Sequence, residues 1–279
     1  MLSSLKIYFL IVENNLLDAR SIFMYKKRIV IKVGTNVMVN KSKRIIKPVL
    51  EGLVKQIATL FEEDIICVLV SSGSVIAGRE VLGRIKIQDK AQKRQVYSAV
   101  GQPRMMFHYY TLFGQYGLKC AQVLATKRDF NPGMHRENMI NCYEGLLAEG
   151  VIPVANEDDA VSVTKSMFSD NDELASLVAE LINADLLIIL TSTDGLFTGD
   201  PEAKDTTLIK NVSVGQDVEQ YVDDKEKGEG EGRGGMGSKL NMAKATARKN
   251  IPTVIANGKR ENVIIDIVHG EAIGTRVSK

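Results

Sequence analysis

Cysteine and histidine are scarce in this sequence, with three of each in 279 residues. Cys67, Cys120 and Cys142 lie far apart and show no CxxC spacing. That excludes a disulfide framework and a thiolate zinc site, and leaves reduced thiols in a cytoplasmic protein. His108, His135 and His269 are equally dispersed, so no His/Cys metal cluster is on offer. An excess of charge is also missing: 36 Lys and Arg face 34 Asp and Glu, a net +2. Without a basic face or a nucleic-acid motif, no nucleic-acid partner is expected. No apolar run reaches the length of a membrane span, so no membrane association is expected. The run LKIYFLIV at Leu5–Val12 is too short, is followed by Glu13 and Asp18, and has no small-residue cleavage site. What remains is ordinary globular composition, 44% hydrophobic and 25% charged, long enough for one large domain or two small ones.

Apolar runs alternate with helical patterns along the chain. Lys27–Val33 (KRIVIKV) reads as a first strand, and Met24 just before it reads as the natural start, which makes residues 1–23 an extension. Pro48–Glu63 puts Leu50, Leu53, Val54, Ile57, Leu60 and Phe61 on one helical face, with Pro48 in the first turn. Ile65–Val70 (IICVLV) is continuously apolar, as in a strand covered on both faces. Helix is expected over Lys90–Phe113, Glu137–Glu149, Glu173–Ile182 and Lys239–Asn250. Strand is expected over Lys119–Ala125, Val151–Ala155, Leu186–Leu190 and Ile251–Ala256. This alternation predicts an α/β fold, a mainly parallel sheet with helices on both faces. In such sheets ligands sit beyond the carboxyl ends of the strands. The Gly-, Lys- and Glu-rich stretch Asp223–Ser238 reads as a surface loop.

Polar clusters follow several of these strands. Lys32-Val33-Gly34-Thr35 ends the first, and by itself reads as an edge lysine before a turn. Ser71-Ser72-Gly73-Ser74 follows IICVLV; it is either a plain turn with a serine cap or a loop whose N–H groups cradle an anion. Asn156-Glu157-Asp158-Asp159 follows VIPVA, as a solvated acidic loop or as a carboxylate for a substrate ammonium. Ser169-Asp170-Asn171-Asp172 precedes a helix; one Asp serves as its cap, and three polar side chains exceed what a cap needs. Thr191-Ser192-Thr193-Asp194-Gly195 follows LLIIL, as a turn or as a rest for a nucleotide. Gly232 to Lys239 (GRGGMGSK) contains GxGxxG spacing but lacks the preceding first strand of a dinucleotide fold, and its order is not that of a Walker A loop. A Gly-rich loop ending in Lys239 at a helix start still suits phosphate; the alternative is a flexible linker.

Taken in order, KVGT, SSG, NEDDAV, SDND, TSTDGLFTGDP and GRGGMGSK, with SAVGQ at Ser98–Gln102 and QVLATKRD at Gln122–Asp129, resemble the glutamate 5-kinases of the amino acid kinase family over about Lys27 to Arg276. The resemblance implies a three-layer αβα sandwich, with a substrate lobe over about residues 24–183 and an ATP lobe over about 184–279. It implies transfer of phosphate from ATP, with Mg²⁺, to the γ-carboxylate of L-glutamate, in proline biosynthesis. By motif, Ser72, Gly73, Asp159 and Asn171 would bind glutamate. Lys32, Thr191, Ser192 and the run Arg233, Gly234, Gly235, Met236, Gly237, Ser238 and Lys239 would bind the nucleotide. Lys32 and Lys239 would stabilise the transferring group, with Asp172 holding both, and no protein metal site is implied. The chain departs from the usual pattern at Asp158, Ser169, Ser192 and Arg233, where Asn, Gly, Asp and Thr are common. Many members carry a C-terminal PUA domain, which a chain ending at Lys279 is read as lacking. A homo-oligomer and feedback inhibition by proline are further implications. The competing readings are a sibling kinase acting on N-acetylglutamate, carbamate or UMP, and a non-catalytic amino-acid sensor.

Overall fold

The computed structural model describes residues 26–162, 167–203, 205–221 and 235–279. The expected extension at residues 1–23 lies outside them. The described residues form an eight-stranded sheet in the order β3-β4-β2-β1-β5-β7-β8-β6. Its strands are β1 (Lys27–Val33), β2 (Ile65–Ser71), β3 (Lys119–Ala125), β4 (Val151–Glu157), β5 (Leu186–Thr191), β6 (Asn211–Ser213), β7 (Thr253–Asn257) and β8 (Thr275–Ser278). The first six strands in that order, β3 through β7, pair in parallel; β8 runs antiparallel to β7, and β6 parallel to β8.

The pleat sends successive side chains to opposite faces, and both faces are apolar. Ile29, Ile31 and Val33 of β1, Cys67 and Leu69 of β2 and Ile188 and Leu190 of β5 join one core. Val30, Val68, Val70, Leu187 and Ile189 join the other. The first core is covered by α2 (Lys47–Glu62), α4 (Lys90–Gly114) and α8 (Val263–Val268). The second is covered by α5 (Met134–Ala148), α6 (Asn171–Leu181) and α7 (Met236–Arg248). The result is the expected αβα sandwich. Burial keeps Cys67 a thiol: in the first core, desolvation pushes it up to about 12.

A one-turn helix α1 (Thr35–Met38) follows β1, and α3 (Ser74–Leu82) follows β2. Helix α3 packs on α4 with almost no space between them. A Cβ at Gly101 would sit 1.8 Å from the Ser74 carbonyl oxygen and 2.4 Å from the Gly78 nitrogen. Gly101→Ala is therefore expected to force the helices apart and to cost about 1–3 kcal/mol, read from urea unfolding. Gly145→Ala is the control: nothing lies within 4 Å of its Cβ position in α5, so a gain of about 0.5–1 kcal/mol is expected. Equal midpoints for the two variants would sink the close-packing claim.

Two boundaries differ from expectation in a way that bears on function. Strand β4 continues through Asn156 and Glu157, because they pair with Leu124 and Ala125 of β3; both are buried, not solvated. Helix α7 begins at Met236, not Lys239, with Gly235 as its N-cap.

Candidate active site

The register aligns the carboxyl ends of the central strands: Val33 of β1 lies beside Ser71 of β2 and Leu190 of β5. Lys32 shares the face of Val30 and so points into the layer of α6 and α7. There the N-terminal turn of α6 meets it. Asp170 caps α6, its Oδ1 accepting the N–H groups of Asp172 and Glu173 at 2.9 and 3.1 Å. Capping directs the next two side chains elsewhere. Asp172, fully buried, lies with Oδ1 2.6 Å from Lys32 Nζ and Oδ2 2.9 Å from Lys239 Nζ. Ser238, in the first turn of α7, donates to Asp170 Oδ2 at 2.5 Å and ties the starts of the two helices together.

One carboxylate shared between two ammoniums leaves a net +1, and the three charges are unequally compensated. Burial opposes the charge on Asp172, yet the two lysines outweigh it and hold the carboxyl below its ordinary value of 3.8. Its stabilising contribution is thus complete above the unfolded value and lost only as pH falls through the lower folded one. Lys32 is pulled below its ordinary 10.5, first by burial and also by the Lys239 charge, against the attraction of Asp172. If Lys32 must be charged to act, kcat/KM should fall on the alkaline side at a pH below 10.5. A pH profile flat up to 10.5 would remove that requirement.

A second cluster continues from Asn171. Its Nδ2 donates to Ser72 Oγ and to Asn156 Oδ1, both at 2.9 Å. Asn156 Nδ2 donates to Gln102 Oε1 at 2.9 Å and reaches Ser74 Oγ at 3.4 Å. Ser98 Oγ lies 3.0 Å from Ser74 Oγ and donates to Asp159 Oδ2 at 2.9 Å. Asp159 Oδ1 accepts from Arg94 Nε at 2.8 Å. A continuous polar chain therefore joins Asn171, beside the lysine pair, to Asp159. Gly73 turns the chain at the base of this strip; its φ of +103° is a left-handed conformation that favours glycine.

The expected residues Ser72, Asn171 and Asp159 thus fall in one hydrogen-bonded strip, and Lys32, Asp172 and Lys239 in one triad. Thr191 ends β5 half-buried, and Ser192 is exposed just beyond it. Gly235, Met236 and Gly237 open α7, where no side chain caps the first N–H groups. Such an uncapped helix start can receive an anion. Arg233 and Gly234 lie outside the described residues. Ser74 belongs to the polar cluster after β2, but Arg94 and Gln102 stand in no such cluster. Ser98 and Gln102 carried only a motif resemblance, and Arg94 carried no local signal because its partner is 65 residues away. Among the described residues no cluster of His, Cys, Asp or Glu could hold a metal ion. Asp170 and Asp172 are already engaged, the first with the start of α6 and Ser238, the second with the two lysines.

Residues 27–257 match the amino acid kinase family. The chain belongs to this family. Within the amino acid kinase family, a glutamate 5-kinase of Bacteroides thetaiotaomicron is 39% identical over 241 residues, covering 86% of this chain and 66% of its own length. A glutamate 5-kinase of Chlorobaculum tepidum is 38% identical over 252 residues, covering 90% and 68%. The chain spans about two thirds of the length of these curated relatives. The carbamate kinase from Giardia lamblia bound to AMP-PNP has a similar fold, with a TM-score of 0.66 across 92% of this chain and all of that one, at 16% identity. At that identity the likeness speaks for the fold alone.

Proposed function

We propose that this protein is a glutamate 5-kinase, which transfers the γ-phosphoryl group of ATP to the γ-carboxylate of L-glutamate and so supplies γ-glutamyl phosphate for proline biosynthesis. The observation that carries this reading is the Lys32–Asp172–Lys239 triad at one end of a polar strip that ends at Asp159. A γ-carboxylate is already ionised at neutral pH, so the acceptor needs no general base. A carboxylate oxygen attacks the γ-phosphorus and the β–γ bridging oxygen leaves with ADP. The protein's task is then alignment and charge neutralisation of a loose transition state. Lys32 and Lys239 face the transferring group, and Asp172 holds them apart and in place. Ser72, Gly73 and Asn171 line the acceptor chain, and Asp159 takes the α-ammonium. Thr191 and Ser192 border the base and ribose, and the start of α7 receives the phosphates. Mg²⁺, bound to those phosphates, would supply further neutralisation of negative charge. The relatives named glutamate 5-kinase support this acceptor over its siblings.

The test is a hydroxylamine trap with Mg-ATP and one acceptor at a time. Acyl hydroxamate is expected with L-glutamate and not with N-acetyl-L-glutamate, whose ammonium is blocked. Product only from the acetylated acid would reassign the substrate and void the ammonium role of Asp159. Proline carries the same ammonium and carboxylate on one carbon. Added to the assay, it is expected to compete with glutamate.

A further inference from the structure

Arg94 lies in the first turns of α4, whose N-cap Asp89 accepts the Gln92 N–H at 2.7 Å. Its guanidinium puts both Nε and Nη2 2.8 Å from Asp159 Oδ1, with Nη2 3.9 Å from Glu157 Oε2. The carboxylates are deeply buried, with 3% and 1% of their side chains exposed, whereas Arg94 keeps 34% of its side chain open. Among the described residues Nη1 makes no hydrogen bond. An ionised carboxylate offers about four acceptor positions. Arg94 and Ser98 occupy three on Asp159, which leaves one on Oδ2.

An open cationic donor and a free carboxylate acceptor therefore stand side by side at the end of the strip opposite the lysine pair. The two charges on the α-carbon of a free amino acid have that complementary pattern. We infer that Arg94 is a substrate-binding residue that grips the α-carboxylate while Asp159 takes the α-ammonium. This rests on the proposed acceptor and deepens it. The γ-carboxylate points to Lys32, and the α-carbon is held by an Arg–Asp pair that is already assembled. A planar guanidinium already fixed by Nε can present its remaining edge to a carboxylate in a way a lysine cannot.

The test uses isothermal titration with a non-hydrolysable ATP analogue present, comparing L-glutamate with L-isoglutamine. The second acid keeps the ammonium and γ-carboxylate and carries a neutral amide in place of the α-carboxylate. Loss of one hydrogen bond between charged groups is expected to weaken L-glutamate binding by about 10- to 100-fold in Arg94→Met. L-isoglutamine, already weak in the wild type, should change by less than about 3-fold, and Arg94→Lys should fall between. Equal weakening of both acids in Arg94→Met would mean that Arg94 acts only by placing Asp159, which overturns the inference. So would wild-type protein that binds neither acid. The hydroxamate assay run alongside separates this inference from the proposed reaction: binding that follows the expected pattern without hydroxamate keeps Arg94 in its role and rejects the transfer.

Discussion

Lys32→Ala is expected to lower kcat about 10²-fold or more, equivalent to about 2.7 kcal/mol or more of lost transition-state stabilisation. The lysine reaches the site because the pleat of β1 puts it on the same face as Val30, one residue before the strand ends at Val33. With 6% of its side chain exposed, little solvent screens its charge. A positive charge fixed near the transferring group acts more strongly as negative charge moves between nucleotide and acceptor than it does on either ground state. The loss should therefore fall on kcat, with the KM for glutamate changed only a few-fold. Lys239→Ala should behave in the same way from the α7 side. Both variants should stay folded, since each leaves Asp172 one ammonium partner. The measurement is steady-state hydroxamate formation on protein with a wild-type unfolding midpoint. A kcat close to wild type in either variant would remove that lysine from the chemistry.

Asp172→Asn is expected to damage both stability and activity. The amide is nearly the size of the carboxylate, so packing around α6 is preserved and the effect is electrostatic. Two buried ammoniums would lose their shared counter-charge, and the amide nitrogen would turn a donor toward one of them. Breaking a buried ion pair by removing one partner costs about 3–5 kcal/mol. Deprotonation of Lys32, whose ammonium burial already disfavours, offsets part of that. We expect a loss near 3 kcal/mol in urea unfolding at neutral pH, shrinking as pH rises and Lys32, already pulled below its ordinary value, loses its proton. The kcat should fall at least as far as in the single lysine variants, because both cations lose their orientation. Unchanged stability across pH would mean that the triad is not the charge network its distances indicate.

Much of the sheet was legible from sequence, for a specific reason. β1 and β3 have the bounds expected of them, and β2, β4 and β5 each run one or two residues longer. β2, β4 and β5 are covered on both faces, so most of their residues are apolar and the run ends abruptly at a polar cluster, whereas β3, at the sheet edge, keeps Lys119 and Gln122 exposed. β6 and β8 escaped notice because three- and four-residue strands at the sheet edge, NVS and TRVS, carry too few inward side chains to show a period. The extension of β4 escaped for another reason. Asn156 and Glu157 look like loop residues; ladder pairing with β3 takes up their backbone groups, and partners distant in sequence, Gln102 and Asn171 for Asn156 and the Phe168 N–H for Glu157, take up their side chains.

The amino-acid sequence by itself determined which chemical groups follow which strand: a lysine after β1 begins, small residues after β2, carboxylates at β4 and α6, and glycines before α7. Local rules suffice for this, since apolar runs and caps depend on near neighbours. Tertiary structure alone decided which of those groups meet. Lys32, Asp172 and Lys239 come from three elements spread over more than two hundred residues, and Arg94 reaches Asp159 across 65. Parallel register brings the strand ends to one edge, and the pleat decides which face each side chain takes. Neither leaves a trace in the spacing of the residues that it brings together.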